Sequence, residues 1–163
     1  MPKQAKIKAV NFENVSFKYK DSPEWILENY THSFIKGELS RLFGENGVGK
    51  STILYLILGM LQPQQGRVLI ITDSGEICNL QNLNLRHWRE NTVAYASHDN
   101  LIEEGSTGQK QLVNLNKLFS QKNQAMIFLF DEADNALDQD NQKRFSQQLE
   151  ELSKDKLVIY TKH

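Results

Sequence analysis

The segment from Gly44 to Thr52 constrains the fold of this chain more than any other, because its sequence, GENGVGKST, matches the pattern G-x-x-x-x-G-K-[ST]. The apolar run Leu39 to Phe43 precedes it and predicts a buried strand, and Lys50 to Leu61 is apolar almost all round and predicts a buried helix. Glycines let successive backbone N–H groups converge on phosphate oxygens, and the positive end of a helix favours the same anions. The pattern therefore predicts a phosphate-binding loop between a strand and a central helix.

Most residues of this loop are candidate nucleotide contacts: Gly44, Asn46, Gly47, Gly49, Lys50, Ser51 and Thr52. In such a loop the lysine, expected as an exposed point charge, reaches the β- and γ-phosphates and acts in catalysis. The serine hydroxyl coordinates Mg²⁺. The alternative is a glycine-rich turn that carries an exposed lysine and binds nothing.

Two carboxylates follow the apolar run Met126 to Phe130, which predicts a second buried strand. A phosphate loop needs a magnesium partner, and no other predicted strand offers one. Asp131 is the candidate metal ligand, acting through water, and Glu132 is the candidate general base that polarises the water attacking the γ-phosphate. The alternative is a strand that ends in two solvated acids.

Composition places the chain among ordinary globular proteins. Its 163 residues suit one domain, and its net charge of −1 offers no positive field to nucleic acid or anionic lipid. The single cysteine excludes an intrachain disulfide and favours a reducing, intracellular compartment. The longest nearly apolar run, Ile53 to Leu61, is much shorter than the ~20 residues of a spanning helix, so we expect a soluble chain that reaches a membrane only by docking.

Short apolar segments alternate with helical patterns along the chain, which predicts an α/β fold. Besides the two strands above, we expect strands at Thr92 to Ala96 and Leu157 to Thr161 in a mostly parallel sheet, and an N-terminal strand at Val10 to Tyr19. Further helices are predicted over Gln109 to Phe119 and Asp138 to Leu152. The expected architecture is a mostly parallel sheet flanked by helices, with a small antiparallel β portion at the N-terminus.

With these motifs the chain resembles the nucleotide-binding domain of ATP-binding-cassette (ABC) proteins over nearly its whole length. Asn14 to Tyr19 is similar to the family's opening strand, in which the aromatic at the position of Tyr19 stacks on adenine; an aromatic packed in the sheet is the alternative. Leu85 to Ala96 looks like the approach to the Q-loop of exporter-type members. Asp134 to Asp138 resembles the D-loop, and His163 matches the switch histidine, a catalytic residue that touches the γ-phosphate. The resemblance implies a P-loop NTPase fold of the RecA-like type.

The family's signature sequence is present in altered form as GSTGQ at residues 105–109. Thr107 replaces a glycine, and its branched side chain would crowd a backbone that must approach another subunit's γ-phosphate. The matching positions, which the resemblance makes candidate nucleotide contacts, are Ser106, Gly108 and Gln109. The alternative is that this segment is simply the N-cap of a helix.

Two further departures concern the segment before the signature. His98 stands where the family has the Q-loop glutamine, and it is either a metal contact or an ordinary surface histidine. Between His98 and Ser106 the family's helical subdomain is nearly absent, and the chain ends at His163. A natural short form, a truncated chain and an engineered minimal domain all fit this length.

The resemblance implies one nucleotide-binding domain, residues 1–163, that binds Mg-ATP and hydrolyses it to drive transport. Its implied partners are a second copy, in a head-to-tail ATP-dependent homodimer, and a membrane-spanning subunit or domain at the cytoplasmic face of a membrane; no nucleic acid is expected. We expect slow turnover by the isolated chain, because few apolar residues fix the loop from Asn100 to Gly108. Two alternatives stay open: a nucleotide sensor or interaction module with little turnover, and an ATPase head of the DNA-repair or chromosome-maintenance kind.

Overall fold

The computed structural model describes residues 6–44, 49–97, 125–133 and 137–162. Within these ranges the chain forms eight strands: β1 (Ile7–Phe17), β2 (Leu27–Ile35), β3 (Leu39–Phe43), β4 (Gln65–Thr72), β5 (Ile77–Asn79), β6 (Val93–Ser97), β7 (Ile127–Asp131) and β8 (Leu157–Lys162). The helices are α1 (Lys50–Leu58), the single turn α2 (Leu85–His87) and α3 (Gln139–Ser153). A 3₁₀ turn at Leu80–Asn82 and a π-helical turn at Trp88–Thr92 flank α2.

Four strands form a parallel sheet in the order β3-β8-β7-β6. The predicted strand at 39–43 is confirmed without change, and the boundaries of the other three differ from the prediction by one residue. Side chains alternate between the two faces of this sheet, as the strand geometry requires. One face packs with α1, and the other packs against α3 through residues that include Phe128, Phe130, Tyr160, Phe145 and Leu149.

The second sheet is antiparallel, with the strand order β2-β1-β4-β5, and confirms the predicted antiparallel portion. The N-terminal strand covers 7–17 rather than 10–19, because the chain leaves the sheet after Phe17. The N–H of Ser22 donates to the carbonyl of Tyr19 over 3.0 Å, and the N–H of Ile26 returns to the carbonyl of Phe17 over 2.9 Å. Tyr19 therefore lies in a turn that follows the strand.

Three strands of the antiparallel sheet were missed by the sequence patterns: β2, β4 and β5. In β2 only Leu27 and Phe34 are buried, and the residues between them are exposed or half-buried. Such a strand has neither an apolar run nor regular alternation. Its position depends on pairing with β1, which tertiary contacts supply and local sequence does not.

α1 packs in one apolar cluster with side chains from both sheets. It ends at Leu58 rather than at the predicted Leu61, because Gly59 adopts a left-handed conformation with φ of +73°. The indole N–H of Trp88 donates to the carbonyl of Ile57 over 2.8 Å, and Arg89 donates to the carbonyls of Leu58 and Gly59 over 3.3 Å each. These bonds satisfy carbonyls that the end of a helix leaves unpaired.

The predicted helix over 138–152 is confirmed as α3, with Asp138 as its N-cap: Asp138 accepts a bond of 2.8 Å from the N–H of Asn141. The predicted helix over 109–119 and the loop over 100–108 lie outside the described residues. In the described part of the chain, no helix has the length and apolar character needed to cross a membrane.

Gly66 lies at a close contact between β4 and β1. Its φ is +79°, and a Cβ atom there would lie 2.2 Å from the carbonyl oxygen of Asn14. Gly75, with φ of +89° and open space around it, shares the conformation without the contact. We expect Gly75→Ala to lower the free energy of unfolding by about 1 kcal/mol and Gly66→Ala by about 3 kcal/mol or more, because only Gly66→Ala must also displace β1. Urea unfolding followed by circular dichroism measures both, and equal losses would contradict the close packing.

Candidate functional site

Side-chain alternation along the parallel strands decides which polar residues meet at the carboxyl edge of the sheet. In β7, Ile127 and Leu129 pack in the cluster around α1, so Asp131, two residues further along, faces the same way. α1 begins at this edge with Lys50 and Ser51. The fold thus brings the end of the glycine loop and the end of β7 together.

The carboxylate of Asp131 accepts hydrogen bonds from three hydroxyl groups. Ser51 Oγ donates to Oδ2 over 2.9 Å, and the Tyr95 hydroxyl donates to the same oxygen over 3.2 Å. Thr161 Oγ1 donates to Oδ1 over 2.9 Å. Because both carboxylate oxygens are held, the side chain is fixed in its direction toward the first turn of α1.

The Tyr95 hydroxyl is a hydrogen-bond donor to Asp131 with a raised pKa. Burial raises its pKa well above the ordinary value of 10.0, and contact with Tyr55 and the negative charge of Asp131 add to the effect. The hydroxyl therefore keeps its proton to a higher pH than an ordinary tyrosine does, and it donates to the carboxylate.

Lys50 is buried, with 8% of the residue exposed, so the expectation of an exposed point charge is wrong. Its ammonium donates to the carbonyl oxygens of Gly44 and Lys162, the second over 3.1 Å, and lies 3.4 Å from Glu132 Oε1. A buried ammonium requires such partners, because its unpaired donors and its charge would otherwise be costly to remove from water. The charge therefore lies where the loop, β8 and the acid after β7 meet.

Glu132 follows β7 with a φ of +51°, a left-handed conformation that is uncommon for residues other than glycine. Its backbone N–H donates to Thr161 Oγ1 over 3.0 Å. Its carboxylate, with 24% of the side chain exposed, lies beside the ammonium of Lys50. This acid is accessible to solvent and is held next to the loop.

The two described glycines of the loop, Gly44 and Gly49, have φ of +145° and +93°. At Gly49 a Cβ atom would lie 3.0 Å from a methyl group of Leu27 and 3.3 Å from one of Ile26. A side chain at this position would meet both an unfavourable backbone conformation and the start of β2, so the loop ends in a glycine for steric reasons.

Tyr19 lies beside the first turn of α1. Its hydroxyl and that of the buried Thr52 are 3.1 Å apart, and its ring contacts Phe17 edge-on with 5.0 Å between the centroids. The residue is 42% exposed, so part of the ring remains open to a ligand. The position therefore combines packing at the end of β1 with an accessible aromatic surface.

The other predicted site residues lie outside the described residues: Asn46, Gly47, His98, Ser106, Gly108, Gln109 and His163. Residues 134–136 of the predicted D-loop are also outside them. The roles assigned to these positions stay predictions.

Tyr95 and Thr161 belong to the site, although the sequence analysis did not select them. A signal was present, since each follows by two residues an apolar neighbour, Val93 or Ile159, that packs around α1. Strand alternation applied to β6 and β8, as to β7, places all three polar side chains on one face.

Comparison with known proteins identifies the family. The family model described as ABC transporter matches residues 27–154. The chain belongs to this family. The ABC family predicted from the motifs is thereby confirmed.

Curated ABC relatives include the ATP-dependent lipid A-core flippase of Haemophilus influenzae (strain 86-028NP), which is 26% identical over 95% of this chain and 34% of its own length. The energy-coupling factor transporter ATP-binding protein EcfA1 of Oceanobacillus iheyensis is 43% identical over 39% of this chain and 23% of its own length. The chain thus spans about a third or less of the length of these relatives.

Two solved ABC structures share the fold. A bacterial Atm1-family ABC exporter with ATP bound has a TM-score of 0.79 at 19% identity and covers 98% of this chain and 35% of its own. A dimeric, post-hydrolysis state of an ATP-binding cassette bound to ADP and Pi has a TM-score of 0.74 at 22% identity, over 94% of this chain and 88% of its own. These likenesses confirm the predicted P-loop α/β fold.

The raised pKa of Tyr95 predicts how stability changes at high pH. Above pH 10 the unfolded chain releases this proton while the folded chain keeps it, so the stabilisation is present below pH 10 and is lost as the pH rises further. Tyr95→Phe removes the ionisation, and we expect its stability to fall less steeply than that of the wild type, by up to about 1.4 kcal/mol per pH unit. Urea midpoints from about pH 8 to 11 measure the difference. Parallel profiles would show that Tyr95 ionises equally in both states.

Proposed function

We propose that this chain is the ATP-binding and ATP-hydrolysing domain of an ABC transporter. The observation that supports this most directly is the convergence of Lys50, Ser51, Asp131 and Glu132 at the carboxyl edge of the parallel sheet. A cation, a hydroxyl and two carboxylates at the start of a helix are the groups that phosphoryl transfer from a magnesium nucleotide requires. They come from two distant parts of the sequence.

Lys50 is the phosphate ligand. Its ammonium is already confined among oxygen atoms of Gly44, Lys162 and Glu132, so a phosphate oxygen can take the place of one of these acceptors. Since burial strengthens the attraction between an ammonium and a phosphate, this position favours a multiply charged anion. The loop residues Asn46 and Gly47, together with Gly44 and Gly49, supply backbone contacts in the proposal.

Ser51 and Asp131 fit a magnesium ion. Both present oxygen atoms, 2.9 Å apart, and Mg²⁺ prefers oxygen ligands and uses few protein side chains. When bound there, Mg²⁺ neutralises part of the phosphate charge. Ser51 would hold the ion through its hydroxyl and Asp131 through water, while Tyr95 and Thr161 keep the carboxylate in place.

Glu132 is the general base. Its partly exposed carboxylate can accept a proton from a water molecule at the loop, and Lys50 beside it holds the phosphate toward which that water moves. Tyr19 supplies an aromatic surface for adenine, and Thr52, bonded to its hydroxyl, holds it at the first turn of α1. His163 completes the contacts to the γ-phosphate and His98 those to the metal in this proposal.

Membership of the family supports a proposed assembly and location. A head-to-tail homodimer would place Ser106, Gly108 and Gln109 of one copy against the nucleotide of the other, so that ATP links the two chains. Residues 1–163 would act as one nucleotide-binding domain, docked on a membrane-spanning subunit or domain at the cytoplasmic face of a membrane. The ATP-dependent flippase and EcfA1 relatives support a role in transport.

Three measurements on the chain test the proposal. Calorimetric titration with Mg-ATP reports binding, phosphate release reports turnover, and size-exclusion chromatography with and without ATP reports the dimer. Binding with turnover supports the full proposal. Binding without turnover favours a nucleotide sensor, and absence of binding contradicts the proposal as a whole.

Lys50→Met removes the ammonium and keeps most of the buried aliphatic stem. We expect the affinity for Mg-ATP to fall about 100-fold, because a buried, charge-assisted contact to phosphate is lost. Lys154→Met removes the same charge from the exposed end of α3 and serves as the control. Calorimetry measures both, and an unchanged affinity in Lys50→Met would remove the phosphate-binding role.

Glu132→Gln keeps the shape of the side chain and removes the base. We expect ATP affinity within about threefold of the wild type and turnover at least about 100-fold lower, with the variant accumulating as an ATP-bound dimer. Glu151→Gln, at an exposed position of α3, is the matched control. Turnover at the parent rate in Glu132→Gln would show that another group is the base.

A further inference from the structure

Thr161 contacts both acidic residues of the site with a single oxygen atom. Its Oγ1 donates to Asp131 Oδ1 over 2.9 Å and accepts the backbone N–H of Glu132 over 3.0 Å. The hydroxyl thus uses its one proton on the carboxylate and a lone pair on the next residue's amide. One side chain links the candidate metal ligand to the candidate base.

The position of Thr161 is set by the sheet. It lies in β8, which pairs with β3 on one side and β7 on the other, and its register partners are Leu42 and Asp131. The residue is 1% exposed. Because its backbone is held by two neighbouring strands and its side chain is buried, the hydroxyl is a rigid reference point for the end of β7.

The backbone conformation of Glu132 requires such a fixed contact. Its φ of +51° lies in the left-handed region, which is strained for a residue with a side chain and persists only where the surrounding structure holds it. The bond from its N–H to Thr161 belongs to this conformation, which directs its carboxylate toward Lys50. Without the hydroxyl, the N–H loses that partner and the turn loses one of its restraints.

We propose that Thr161 is a positioning residue that holds the metal ligand and the general base in one arrangement. In this role it acts through Asp131 and Glu132, and not as a ligand of the substrate or the metal. The inference rests on the proposed function, since it deepens the roles of these two acids. Asp131 keeps two other donors, Ser51 and Tyr95, so the loss of Thr161 should affect Glu132 more than Asp131.

The test compares Thr161→Val, which keeps the shape and loses the hydroxyl, with Thr161→Ser, which keeps the hydroxyl. Thr72→Val is the matched control, because Thr72 is equally buried, is hydrogen-bonded to Ser74 and Glu76, and lies in the antiparallel sheet. The first readout needs no nucleotide: hydrogen exchange of the Glu132 amide, measured by NMR. The second is the gain in ADP affinity on adding Mg²⁺, and the third is kcat and KM for ATP.

We expect the Glu132 amide to exchange at least about tenfold faster in Thr161→Val than in the wild type, with Thr161→Ser and Thr72→Val near the wild type. The kcat of Thr161→Val should fall about 10- to 100-fold while KM changes less than about threefold, because a base displaced by about 1 Å loses rate but not phosphate contacts. The Mg²⁺-dependent gain in ADP affinity should fall only a few-fold. Rescue by serine separates this role from side-chain packing.

Wild-type exchange of the Glu132 amide in Thr161→Val would overturn the inference, and so would an unchanged kcat. A wild-type chain that binds Mg-ATP and hydrolyses none contradicts the proposed hydrolysis instead. In that case the Glu132 exchange rate alone decides the inference: faster exchange in Thr161→Val with rescue by serine supports it, and wild-type exchange overturns it. The two failures are therefore distinguishable.

Discussion

The rest of the structure depends on the burial of α1. This helix is apolar on nearly all of its sides, so other elements must cover nearly all of its surface. Side chains from the antiparallel sheet, among them Phe12 and Ile70, and from the parallel sheet, among them Leu129 and Ile159, pack around it in one cluster. Trp88 bonds to a carbonyl near its C-terminal end. The polar groups of α1 are therefore concentrated at its N-terminus, which is where the loop arrives.

The chemistry of the site follows from that burial. A lysine at the first position of a covered helix has little access to water, so carbonyl groups and the carboxylate of Glu132 surround its ammonium. The carboxylate of Asp131 is held in the same way by three hydroxyls. These polar groups therefore pair with one another within the fold.

Local sequence patterns predicted the strands whose burial is visible as a continuous apolar run. Buried parallel strands are continuous apolar runs, so β3, β6, β7 and β8 were found to within one residue. β2 was missed, because only Leu27 and Phe34 are buried in it and its place depends on β1. For the candidate site, the loop motif predicted Lys50 and Ser51, and the end of an apolar run predicted Asp131 and Glu132. The exposure of Lys50 was predicted wrongly, because a motif specifies residue types and not what covers them.

By itself, the sequence determined the family, the strand from 39 to 43 with the helix that begins at Lys50, and the two acids at the end of β7, because each depends on residues close together along the chain. Only the tertiary structure decided that Thr161 would contact both acids and that Tyr95 would donate to Asp131. Both depend on register between strands that are about 30 residues or more apart in sequence and on shared burial beside α1. Strand register and shared burial arise only when the sheet forms, so a local sequence pattern cannot predict them.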